Sequence, residues 1–73
     1  MEYRLNYRTR YEGWFADQDT NFPAENDADA LKNANQRIER MNDHAPVHVK
    51  GYEIVYINRI EQREEKTRIY SKE

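Results

Sequence analysis

The chain has 73 residues, enough for one domain, and a domain of this size buries only about 60% of the surface its unfolded form exposes. Charged residues make up 36% of it and apolar residues 37%, with a net charge of −2, so nothing global marks it for nucleic acid or for a membrane surface. It contains no cysteine, which removes disulfides, thiolate chemistry and cysteine-based zinc sites. Six Tyr, two Phe and Trp14 are costly to leave in water, so the composition describes a small folded domain rich in half-buried tyrosine rather than a disordered chain.

The first element is a strand. Tyr3, Leu5, Tyr7, Thr9 and Tyr11 alternate with Glu2, Arg4, Asn6, Arg8 and Arg10, placing aromatic and apolar side chains on one face and cations on the other. Gly13 then permits a turn. Trp14 and Phe15 call for cover, but Asp17, Gln18, Asp19, Thr20 and Asn21 read as loop, so the second strand is expected to be short, around Thr20 to Glu25. Pro23 lacks an N–H, which assigns that strand to a sheet edge or a bulge.

Asn26 is a good N-cap, and Asp27 and Asp29 fall in a first turn, where the helix dipole favours anions. Leu31, Ala34, Ile38 and Met41 recur at helical spacing beside Ala30, so this stripe is expected to be core. Asn42, Asp43 and Pro46 end the helix. Val47 to Ile60 reads as a central strand. Tyr52, Ile54, Tyr56, Asn58 and Ile60 occupy one side; Glu53, Val55, Ile57, Arg59 and Glu61 occupy the other. Glu64, Glu65 and Lys66 read as a polar turn, and Thr67 to Tyr70 as a short terminal strand. The expectation is a single α+β domain over 1–73. One helix packs on one face of a small, mostly antiparallel four-stranded sheet, in the order β-β-α-β-β, and the other face is left open to water or to a partner.

Chemistry-bearing motifs fail on inspection. Asp17, Asp19 and Asn21 open like a calcium loop, but Phe22 stands where glycine must turn the chain and Ala28 where a bidentate glutamate belongs. His44 and His48 flank Pro46 and do not share a helical face, so they make a poor metal pair. No nucleophile motif and no glycine-rich phosphate loop occurs, the only glycines being Gly13 and Gly51. The reading is therefore a protein that is not an enzyme and needs no cofactor or metal.

Charge is unevenly spread. Asp17, Asp19, Glu25, Asp27 and Asp29 form an acidic run without a base, whereas Met1 to Tyr11 holds Arg4, Arg8 and Arg10 against Glu2 alone. Arg4, Arg8 and Arg10, joined by Arg59 from the central strand and Trp14 from the adjoining loop, are the candidate binding residues on the open face. Arginine among aromatics suits a protein partner, which the net acidity favours, or nucleic acid. Monomer and edge-to-edge homodimer both remain open.

The pattern Phe22-x-Ala24-x-Asn26-x-x-x-Ala30-Leu31-x-x-Ala34, followed by Gly51-Tyr52-Glu53-Ile54, resembles small phage-encoded inhibitor proteins, the T7-type RNA polymerase inhibitors. Small anti-CRISPR proteins are similar in layout, with one helix on an antiparallel sheet. The resemblance implies a non-enzymatic protein that blocks a host or defence complex by protein–protein contact in the host cytoplasm. It transfers no binding residue, because the shared positions are core and cap positions. The chain departs from the polymerase inhibitors in its arginine-rich first strand and its C-terminal hairpin. The alternative function is a small nucleic-acid-binding accessory domain using the basic open sheet face. No membrane partner is expected: there is no long apolar run and no signal-peptide core.

Overall fold

A computed structural model describes the backbone of residues 1–72 and their side chains, Lys66 excepted. Four strands and one helix follow in the order β1 (Glu2–Tyr11), β2 (Trp14–Pro23), α1 (Asp27–Asp43), β3 (Val49–Glu61) and β4 (Glu64–Ser71). The sheet is antiparallel throughout and ordered β2-β1-β3-β4, with α1 on one face. This is the α+β architecture expected from the sequence. The body is elongated, 38 × 20 × 20 Å.

The core is the layer between α1 and the sheet. Tyr3, Leu5, Phe22, Ala24, Ala30, Ala34, Ile38 and Ile57 are buried, with Tyr7, Leu31, Met41, Tyr52, Ile54 and Ile69 packed around them. Alanine at positions 30 and 34 lets the helix backbone come close to the sheet, while Tyr3, Phe22, Leu5 and Ile57 supply the volume. Burying such large side chains stabilises by roughly 1.5–3 kcal/mol each. The Tyr3 and Phe22 rings stack across β1 and β2 with centroids 5.8 Å apart.

The helix begins as its sequence specifies. Asn26 accepts a hydrogen bond at Oδ1 from the Asp29 amide (2.8 Å), and Asp29 Oδ2 accepts one from the Glu25 amide (3.2 Å). The start is also tied to the sheet: the Tyr3 hydroxyl donates to Asp27 Oδ1 (2.7 Å). At the other end, Asn42 hydrogen-bonds the Tyr52 backbone in both directions.

Three strand expectations are corrected. β2 is not a short piece from Thr20 to Glu25 but ten residues from Trp14. Its polar run reads as loop until its partners are seen: Asp17 pairs with Arg8, Asp19 accepts from Asn6, Gln18 accepts from Tyr7 and Asn21 accepts from Arg4. An edge strand with one wet face holds such residues readily.

The β3–β4 turn lies at Gln62 and Arg63, not at Glu64 to Lys66. Both turn residues have positive φ (53° and 68°), the left-handed pair of a type I′ turn. Neither is the Asn or Gly that such a turn favours.

The faces of β3 also change midway. The register on β1 runs Tyr56↔Asn6 and then Ile54↔Tyr7, leaving Val55 as an extra residue. Such a bulge exchanges the two faces. Tyr52 and Ile54 therefore lie on the helix side with Ile57 and Arg59, whereas Glu53, Tyr56, Asn58 and Ile60 lie on the open side. Ile57, which simple alternation puts on the open side with Arg59, is buried core.

Candidate binding surface

The open face is a lattice of cross-strand pairs. β1 contributes Arg4, Asn6, Arg8 and Arg10; β2 contributes Phe15, Asp17, Asp19 and Asn21 opposite them. Arg8 Nε meets Asp17 Oδ1 at 3.1 Å, and its Nη1 lies 3.8 Å from Glu53 Oε1 on β3. Glu53 in turn accepts from Lys72 Nζ at 2.6 Å. One row thus runs Asp17, Arg8, Glu53, Lys72 with alternating sign. Arg4 Nε donates to Asn21 Oδ1 (3.1 Å) and lies 3.7 Å from Glu65. Farther across, Arg68 donates to Asn58 Oδ1 (3.1 Å) and lies over the Tyr56 ring, 4.1 Å from its centre.

This lattice sets local proton affinities. The hydrogen bond from Lys72 holds the Glu53 carboxyl below the usual carboxylate range against the opposing effect of burial, with the charges of Lys72, Arg10 and Arg8 assisting. Burial raises Tyr56 above the ordinary phenol value, helped by Asp19 and Glu65.

The five residues singled out from sequence therefore separate. Arg4 and Arg8 do lie on the open face, but both are committed to neighbouring side chains. Arg8 is also laid over Phe15, 4.4 Å from the ring centre. Arg59 is not with them: the Val55 bulge turns it to the helix side, where it lies half-buried 3.9 Å from Asp27 and 3.9 Å from Glu61. Arg10 is exposed, and among the described residues it has no carboxylate at ion-pairing distance. Trp14 is on the hairpin, 58% exposed.

Arg10 and Trp14 belong to a second feature, the end of the β1–β2 hairpin beyond the helix. Glu12 and Gly13 form its turn, and Gly13 takes φ 81°, a value that favours glycine. Trp14 stacks on Tyr11 with centroids 4.1 Å apart and planes 13° apart. Tyr11 in turn faces His48 at 6.2 Å and 13°. On the other side of the hairpin Phe15 is 60% exposed. Sequence reasoning missed Tyr11, Phe15 and His48, because their grouping requires a ten-residue β2 and the turn before β3. The signal available was the Trp14-Phe15 pair directly after Gly13.

Elsewhere the surface is shallow. A hollow of about 440 Å³ lies on the outer side of α1, lined by Gln36, Glu39, Arg40 and Asp43, and another of about 390 Å³ by Met1, Asn26, Asp27, Ala28 and Arg59. Among the described residues no three His, Asp or Glu side chains gather as metal ligands, and no helix is long and apolar enough to cross a membrane. Comparisons of the chain with protein families, with curated proteins and with solved structures find no match.

Proposed function

We propose that the chain is a non-enzymatic binding protein that works by occupying another protein's surface. Its mode is that of the phage-type inhibitors it resembles in layout, which block a host or defence complex by direct contact in the cytoplasm. The observation that carries this reading is the exposure of Trp14 and Phe15, 58% and 60%, beside the uncommitted Arg10. A domain this small leaves two large aromatics in water at a cost in burial of a few kcal/mol. Tryptophan, tyrosine and arginine are also the residues that dominate the energetics of protein interfaces.

The nucleic-acid alternative has less support. Phosphate contacts on the sheet face would have to take Arg4 and Arg8 from Glu65, Asp17 and Glu53, all on the same face.

Differential capture tests the reading. The wild type and the variant Arg10→Glu/Trp14→Ala, shown to melt alike, are used to retain proteins from lysate of the organism carrying the gene or of its host. A protein held by the wild type and lost with the variant is the expected result. Capture of the same proteins by both would overturn the assignment of the contact, and capture of nucleic acid alone would replace the function.

A further inference from the structure

The longest unbroken edge of the sheet is β2. Its register with β1 runs without interruption from Glu2↔Pro23 to Tyr11↔Trp14, whereas the pairing of β4 with β3 is broken by two shifts. β2 is terminal in the sheet order, so one side of it is free. Pro23 fixes which backbone groups point outwards. Having no N–H, it belongs at a position facing away from β1, and alternation then directs the N–H and C=O of Phe15, Asp17, Asp19 and Asn21 to the same free side. An edge of this kind is a template for an added strand.

Two side-chain patterns stop at this edge. On the helix side, the rings of His48, Tyr11 and Trp14 form a ladder that passes from the approach to β3, through β1, to β2. Trp14 is its last rung, and its exposure leaves the next position bare. On the open side, Lys72, Glu53, Arg8 and Asp17 alternate in sign from strand to strand and end on a carboxylate that is 47% exposed. Asp19 lies two residues along the same face of β2. β2 carries these two acids and no base. Antiparallel pairing with a second copy in the registers centred on Asp17 to Asp19 would therefore bring carboxylates against carboxylates.

We infer that the free edge of β2 takes an extended basic segment of a partner protein as a fifth strand. One aromatic side chain of that segment stacks on Trp14, and Lys or Arg side chains on its other face meet Asp17 and Asp19. The backbone bonds give affinity and the alternating side chains give selectivity. This rests on the reading that the chain binds protein, and it adds the chemistry and conformation of what is bound.

The test uses the ¹⁵N-labelled chain and the peptide Ac-Lys-Thr-Lys-Thr-Val-Tyr-NH₂, whose antiparallel register places Tyr opposite Trp14 and Lys opposite Asp17 and Asp19. Two controls replace both Lys by Glu, or Tyr by Ala. Because Trp14 is the only tryptophan, its indole N–H gives a single resonance to follow. The expected result is a saturable shift of that resonance and of the amides of Phe15, Asp17 and Asp19. The Glu peptide should bind about tenfold more weakly, as expected when two cross-strand charge pairs change sign. The Ala peptide should also bind more weakly. Asp19→Lys should largely remove the preference for the Lys peptide over the Glu peptide, and Asp17→Lys/Asp19→Lys, where its amide spectrum shows the fold intact, should reverse it toward the Glu peptide. Equal binding of the Lys and Glu peptides, shifts confined to another surface, or no shift up to about 5 mM, where roughly millimolar contacts register, would each overturn the inference. If the peptides fail while a captured protein still covers Trp14, the edge-strand inference falls and the protein-binding reading stands.

Discussion

Asn42 pairs with Tyr52 as a strand would. Its side-chain Nδ2 donates to the Tyr52 carbonyl (3.1 Å), and its Oδ1 accepts from the Tyr52 amide (2.7 Å). β4 extends along β3 only as far as Ser71 opposite Tyr56, with the Lys72 amide reaching the Val55 carbonyl. The end of α1 thus covers edge groups of β3 that β4 does not reach. Gly51 lies beside this pair with φ 155°, which L side chains rarely adopt, while a Cβ there would meet Asn42 Oδ1 at 3.4 Å, an ordinary contact. Asn42→Ala should cost about 2 kcal/mol, the scale of two lost hydrogen bonds, and speed amide exchange at Tyr52 more than at Ile57. Asn42→Asp, which can accept but not donate, should fall between. Urea unfolding and hydrogen exchange check both.

The Gln62–Arg63 turn stores strain that a better sequence would release. Non-glycine residues at left-handed φ cost about 1 kcal/mol each, and type I′ turns favour Asn-Gly. Gln62→Asn/Arg63→Gly should raise the urea midpoint by an amount equivalent to about 1–2 kcal/mol with unchanged slope. A fall in the midpoint would mean that the two side chains hold contacts worth more than the strain.

Tyr3 links stability to alkaline pH. Burial, and then its hydrogen bond to Asp27, push its phenol up to about 12. The protonated form is therefore favoured in the folded state. Its contribution is complete below about pH 10, the value for an unfolded tyrosine, and is lost as pH rises toward 12, at up to about 1.4 kcal/mol per pH unit. Tyr3→Phe should be less stable at pH 7 but lose less stability between pH 10 and 12. Equal slopes for the two proteins in pH-dependent unfolding would reject the linkage.

Arg8 and Arg10 should separate stability from binding. Arg8→Glu puts a third carboxylate beside Asp17 and Glu53 and removes the guanidinium from Phe15, and a loss of about 1–2 kcal/mol should follow. Arg10→Glu breaks no ion pair, removing only a more distant charge that assists Glu53, and should shift stability by less than about 0.5 kcal/mol, while weakening binding to the captured partner. Thermal melts and one affinity measurement per variant decide it.

The elements were legible where one physical signal dominated. The alternation of Tyr3 to Tyr11, the Asn26 cap and the apolar stripe of Leu31, Ala34, Ile38 and Met41 beside Ala30 each admit one reading, and the fold contains them, with Ala30, Ala34 and Ile38 buried and Leu31 and Met41 packed at the core's margin. The length of β2 was not legible, because its polar residues become strand-like only through Arg4, Asn6, Tyr7 and Arg8 on the neighbouring strand. The Val55 bulge was equally silent. A run of β-branched and aromatic residues with apolar groups on both faces contains no mark of where the faces exchange, and so alternation alone places Arg59 on the wrong side. The same limit applies to the contact surface: Trp14 and Arg10 were identifiable as exposed candidates, but the ladder joining Trp14, Tyr11 and His48 exists only once three chain segments are side by side.

The most direct measurement of the central claim is an amide and indole spectrum of the labelled chain, free and with the protein it captures. The Trp14 indole and the amides from Tyr11 to Asp19 should shift or broaden, while Gln36 and Arg40 on the outer side of α1 stay in place. Changes centred on α1, with Trp14 unmoved, would contradict it.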